Sequence, residues 1–164
     1  MKASLNHYWP YCVFAVLTVF VAQVQANTTI TVKVTIVSPP PCTINANSTL
    51  DVTFGNDVII SHIDGSYKKQ PVPYSVVCKN MPKNAMKLQV QGTAAGFNAS
   101  ILKTNKNTMG IALLRNGNPQ PVNSWIAFTY PNLPTLEAVL VRQAGATLDG
   151  GDFSAGATMK VEYQ

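Results

Sequence analysis

Apolar and polar residues alternate with a period of two along much of this 164-residue chain. The clearest run is at the C-terminus. Ala157, Met159, Val161 and Tyr163 are apolar, while Thr158, Lys160 and Glu162 between them are polar. This is the pattern of a half-buried β-strand, and it continues to the penultimate residue. Chain ends fray unless something ties them down, so such a strand needs a firm neighbour. A second alternating run lies near the other end. Ile30, Val32, Val34 and Ile36 form one face, Thr29, Thr31, Lys33 and Thr35 the other, and most are β-branched, as strands prefer.

Between these runs, β-type segments are predicted at 50–54, 72–78, 85–90, 111–115, 125–130 and 136–141. Turn signals punctuate them at Asp64-Gly65, at Asn80 to Pro82, at Asn116-Gly117 and at Asp149-Gly150-Gly151. Leu113 to Gly117 reads as a strand entering a hairpin turn. No segment sustains a capped 3.6-residue period. Several short strands at this spacing predict an all-β sandwich. Pro39-Pro40-Pro41 forms a stiff spacer and separates the alternating 27–38 segment from the rest. The N-terminal run has two readings: the first strand of its own sandwich, or a segment not committed to the domain behind it.

The extreme N-terminus changes how the cysteines and charges are counted. Residues 1–26 carry Lys2, an apolar run at 11–22 and Val24-Gln25-Ala26, the layout of a secretory signal peptide. The run is too short to span a bilayer, so no membrane insertion of the mature chain is expected. Cleavage removes Cys12 and leaves Cys42 and Cys78. In an oxidising compartment these two default to one disulfide, worth about 4 kcal/mol by loop closure. The remaining 164 − 26 = 138 residues suit one domain. Losing Lys2 leaves 12 − 1 = 11 basic against 7 acidic side chains, a net charge of +4. The basic residues are scattered rather than gathered on one face, which argues against nucleic acid as a partner.

Catalytic chemistry has little to stand on. His62 is the single histidine of the mature chain and lies in a polar turn, reading as a surface residue. Asp149 and Asp152 are the closest carboxylates but sit in a glycine-rich turn. No nucleophile elbow, phosphate loop or metal-ligand cluster is present, so no catalytic residue, cofactor or metal is expected. Asn27, Asn47 and Asn98 begin glycosylation-type triplets.

Several motifs in order carry a resemblance: P-P-C-T-I-N (40–45), D-V-T-F-G-N (51–56), V-P-Y-S-V-V-C (72–78), M-G-I-A-L (109–113) and L-D-G-G-D-F (148–153). They lie between an alternating N-terminal extension and a C-terminal strand with Gly151 fourteenth from the end and Tyr163 penultimate. Together they resemble a chaperone–usher fimbrial subunit, most of all the minor pilins of pilus tips. The resemblance implies an incomplete immunoglobulin-like β-sandwich that lacks its final strand and is completed by a donated one, a known mode of β-augmentation. It implies a pilin domain at 39–164, with 27–38 as a donor extension offering Ile30, Val32, Val34 and Ile36 to a neighbouring pilin subunit. It implies a C-terminal strand, with Gly151, Ala157, Met159, Val161, Tyr163 and Gln164, that a periplasmic pilus chaperone binds before an outer-membrane usher takes over. The carboxylate of Gln164 would lie against basic residues of that chaperone. The chain would be exported through the periplasm to the cell-surface fimbrium. Such an adaptor supports cell adhesion; the alternatives are a receptor- or glycan-binding tip module and a terminator subunit. In one respect this chain departs from the family: Val34, eight residues before Cys42, stands where the extension usually has glycine.

Overall fold

In a computed structural model, residues 40–164 are described. The leader, the 27–38 extension with Ile30, Val32, Val34 and Ile36, and Pro39 lie outside the described residues. The described chain contains eleven strands and no α-helix. They are β1 (Cys42–Ile44), β2 (Gln70–Pro71), β3 (Val76–Cys78), β4 (Ala85–Gly92), β5 (Ala94–Ala95) and β6 (Asn98–Lys103). Then follow β7 (Met109–Arg115), β8 (Asn118–Gln120), β9 (Trp125–Thr129), β10 (Leu136–Arg142) and β11 (Ala157–Tyr163). Every pairing is antiparallel.

The strands form two layers. One sheet runs β2-β10-β7-β6-β5, with β8 folded onto β7; the other runs β11-β4-β9; β1 and β3 pair separately. Period-two alternation turns one face of each sheet inward. In the larger sheet, Leu102, Ile111, Leu113, Ala138 and Leu140 are buried in one cluster with Phe54, Ile63 and Leu148. In the smaller sheet, Met86 opposes Phe128 and Leu88 opposes Ile126. These four join Leu136 from β10 in a second cluster. Val90 and Val72 pack against both clusters, so the core is continuous between the layers.

Local sequence explains most of the connections. Asn116 (φ 49°) and Gly117 (φ 80°) form the two-residue turn between β7 and β8. This geometry needs positive φ at both central positions, which Asn-Gly supplies. Where β4 leaves its sheet, a Cβ on Gly92 would lie 2.3 Å from the Leu102 Cδ1 and 3.2 Å from the Gly156 carbonyl oxygen. A side chain there would force Leu102 to move and press on the Gly156 backbone. Asn123 covers the free side of the same residue, accepting from the Gly92 N–H (3.0 Å) and donating to its carbonyl (3.0 Å).

Two expected strands differ. Residues 50–54 form no ladder with any described strand, although Phe54 is buried and Val52 packs on the first cluster. Alternation there sets side-chain burial without a ladder to the described strands. The 72–78 run is reduced to β3 because Pro73 breaks it, and Tyr74 N–H turns back to the Val72 carbonyl (2.9 Å). The strand at Asn98–Lys103 was not predicted from its polar start. Cys42 and Cys78 are joined by a disulfide and oppose each other across β1 and β3.

Tyr74 packs against the second cluster and donates its hydroxyl to the Pro134 carbonyl. Burial pushes its phenol from 10.0 up to about 12. A raised folded-state value means the unfolded chain loses this proton first. Stability from this group is therefore intact below about pH 10 and falls as pH rises toward 12. The expected outcome of an ultraviolet titration is a tyrosinate transition at about pH 12 that is lost in Tyr74→Phe. A titration curve that Tyr74→Phe leaves unchanged at that pH contradicts it.

Candidate functional site: the outer edge of the C-terminal strand

β11 follows a tethered approach. Leu148 is buried in the first cluster, and the chain then turns through Gly150 and Gly151, the latter at φ +100°. Phe153 next packs on Phe54, ring centroids 5.9 Å apart. From Ala157 the strand lies along β4, pairing Ala157 with Gly92, Met159 with Val90, Val161 with Leu88 and Tyr163 with Met86. Gln164 closes the ladder: its N–H donates to the Ala85 carbonyl (3.1 Å) and its side-chain amide to the Met86 carbonyl (2.7 Å). The last residues are thus held by β4 backbone.

The two edges of this small sheet are not alike. β9 is an edge strand, yet its inward Ile126 and Phe128 are 1% and 8% exposed. β11 is the other edge, and its inward Met159, Val161 and Tyr163 are only partly buried although they pack on the same cluster. Ala157, at the start of the same face, is exposed. Among the described residues β11 has one ladder partner. Its outer side therefore presents both unpaired backbone and incompletely covered apolar side chains, the combination that invites another strand. The 50–54 segment, with side chains in the core but no ladder, meets the approach to β11 where Phe54 touches Phe153.

The outward face is polar. Glu162 accepts from Lys87 across the ladder at 3.2 Å, and the Lys87 ammonium lies 4.6 Å from the Trp125 ring centroid. Exposed pairs of this kind contribute little. Beyond this sheet, Asp57 pairs with Lys68, whose ammonium holds the Asp57 carboxyl below its ordinary range. His62 is exposed and stands edge-on to Tyr67 at 5.4 Å. Asp149 and Asp152 are exposed in their turn.

Of the residues singled out from sequence, Met159, Val161 and Tyr163 share one face of β11, and Gln164 extends the ladder. Gly151 lies in the turn before it. Sequence reasoning missed Asn105 and Asn123. Each grips distant backbone through its side-chain amide, and neither stands in a local motif that signals it.

The two-layer antiparallel sandwich, with the inward side chains of its edge strand β11 half-covered, is an incomplete immunoglobulin-like fold. The description "fimbrial protein" matches residues 25–164. The fimbrial-like protein YfcQ of Escherichia coli (strain K12) is 35% identical over 145 residues, 85% of this chain and 89% of that protein. The fimbrial adapter PapF of Escherichia coli is 30% identical over 138 residues, 76% of this chain and 81% of that protein. The solved structure of PapF, a P pilus adaptor subunit, superposes with a TM-score of 0.58 over 77% of this chain and 98% of its own. The P pilus rod subunit PapA, at 23% identity, shares the fold with a TM-score of 0.60 over 76% of this chain and 99% of its own. The chain belongs to the fimbrial protein family and is a chaperone–usher pilin.

The Tyr163 hydroxyl is buried with no hydrogen-bond partner among the described residues. An unsatisfied buried hydroxyl costs about 1–3 kcal/mol. Tyr163→Phe is therefore expected to leave stability unchanged or raise it by up to about 1 kcal/mol, read by urea denaturation. A clear loss of stability would mean the hydroxyl has a partner.

Proposed function

We propose that this chain is an adaptor-type subunit that links two others in a fimbria, accepting a strand beside β11 and donating one from residues 27–38. The observation that carries this reading is the half-exposed row Met159, Val161 and Tyr163 on a strand with one described ladder partner. A donated strand supplies the missing hydrogen bonds and covers that row. Ile30, Val32, Val34 and Ile36 form the matching offer toward the next subunit.

The magnitude fits an assembly step. Burying four such side chains yields roughly 6–12 kcal/mol gross, at about 1.5–3 each. A whole domain is typically stable by about 5–15 kcal/mol. The gross gain from one strand is therefore comparable to the stability of a whole domain. Before assembly, a periplasmic chaperone occupies the same edge, with Gly151, Ala157, Met159, Val161, Tyr163 and Gln164 as its contact strand. Residues 1–26 direct export to the periplasm, and the usher passes the subunit to the cell-surface fimbrium, where it supports adhesion. The adaptor position is favoured by the likeness to PapF, described as a fimbrial adapter, and by the alternating donor-type sequence at 27–38. Val34 in place of the family's glycine asks for an acceptor with a wider pocket at that step.

The test removes the donor and returns one. Residues 39–164 alone are expected to fold only weakly, with a low, broad melt in dilute solution and aggregation on concentration. Added peptide carrying an alternating donor sequence is expected to yield a soluble monomer with a cooperative melt. A fragment that melts sharply alone, with a midpoint indifferent to peptide, contradicts the proposal.

A further inference from the structure

The start of β11 is fixed from the opposite sheet. The connection between β6 and β7, residues 104–108, reaches across to the approach segment of β11. Asn105 holds Ser154 twice: its own N–H donates to the Ser154 carbonyl (3.0 Å), and its side-chain Oδ1 accepts from the Ser154 N–H (2.9 Å). Its Nδ2 makes a longer contact with the Asp152 carbonyl (3.5 Å). The neighbouring Lys106 ammonium donates to the Gly150 carbonyl (2.9 Å). The connection itself is rigid because Thr104, 2% exposed and the one buried polar residue among those described, ties it down. The Thr104 hydroxyl donates to the Met109 carbonyl (2.9 Å) and accepts from the Lys106 N–H (3.1 Å).

Register needs such a hold here. Burial of one face specifies a strand's register strongly, and weak burial leaves it prone to slip. The inward side chains of β11 are only half-covered, and Ser154, Ala155 and Gly156 just before it are exposed. Between Phe153 and the strand, the bonds to Asn105 are the tie to the rest of the fold. We infer that Asn105 is a positioning residue for strand acceptance: with Lys106 it sets where β11 begins, and so fixes the register in which its outer edge meets an incoming strand. The inference rests on the strand-accepting role proposed above.

The test reads register directly. The mature chain carrying Thr158→Cys, an exposed position on the outward face of β11, is refolded with its disulfide intact and excess synthetic peptide. The peptides carry an alternating donor sequence, residues 27–38 with Val34→Gly to restore the residue usual in the family, each with one cysteine replacing Thr29, Thr31, Lys33 or Thr35. Mild oxidation then traps whichever pair lies side by side. In the wild-type background one peptide position dominates. With Asn105→Ala the cross-links spread to neighbouring positions, and Lys106→Met, which leaves the Ser154 bonds in place, gives a smaller spread. Asn105→Asp keeps the acceptor for the Ser154 N–H and stays with wild type. The same single dominant position in Asn105→Ala overturns the clamp while leaving strand acceptance standing. Capture of no peptide by the wild-type chain overturns strand acceptance, and the clamp's role with it.

Discussion

The pairing of β11 with β4 is the interaction on which the rest depends. It joins the C-terminus to the centre of the smaller sheet through seven register positions from Ala157 to Tyr163. Met86 and Leu88 on β4 are fully buried because strands flank them on both sides. Val161 and Tyr163, directly opposite, are not, because β11 has a described neighbour on one side only. A ladder satisfied on one side is the physical origin of the site: the same residues that pack onto the core beside β4 stay partly uncovered on their outer side.

The fold supports that edge from both ends. At the C-terminal end, Gln164 reaches the Ala85 and Met86 carbonyls. At the N-terminal end, Phe153 rests on Phe54 and Ser154 is held by Asn105. An uncovered edge normally endangers a protein, since it templates pairing with any available strand. Here the edge is anchored at its ends and open between them. That arrangement suits a surface meant to be covered by a partner.

Much of this was legible in the sequence. Alternation located β11, and it anticipated that Met159, Val161 and Tyr163 share a face. Asn116-Gly117 marked its hairpin, since few other residue pairs adopt two positive φ values in succession. The even cysteine pair anticipated the disulfide. Failures came where the outcome depends on a neighbour. Residues 50–54 alternate correctly and bury Phe54, yet pattern alone does not say whether a backbone lies alongside. β6 begins with Asn98-Ala99-Ser100, which shows no apolar alternation, and its pairings with β5 at Asn98 and with β7 at Leu102 make it a strand. The amide grips of Asn105 and Asn123 join residues far apart in sequence, so no local motif announces them.

The most direct measurement is residue-resolved hydrogen exchange across β11, with and without a bound donor strand. In an antiparallel edge strand, alternate amides face the existing neighbour and the others face outward. The amides directed at β4 are predicted to be protected in both states. The outward ones are predicted to exchange quickly in the donor-free protein and slow down by orders of magnitude when a strand binds. Equal protection of all β11 amides in both states would mean that its outer edge is not where a partner pairs.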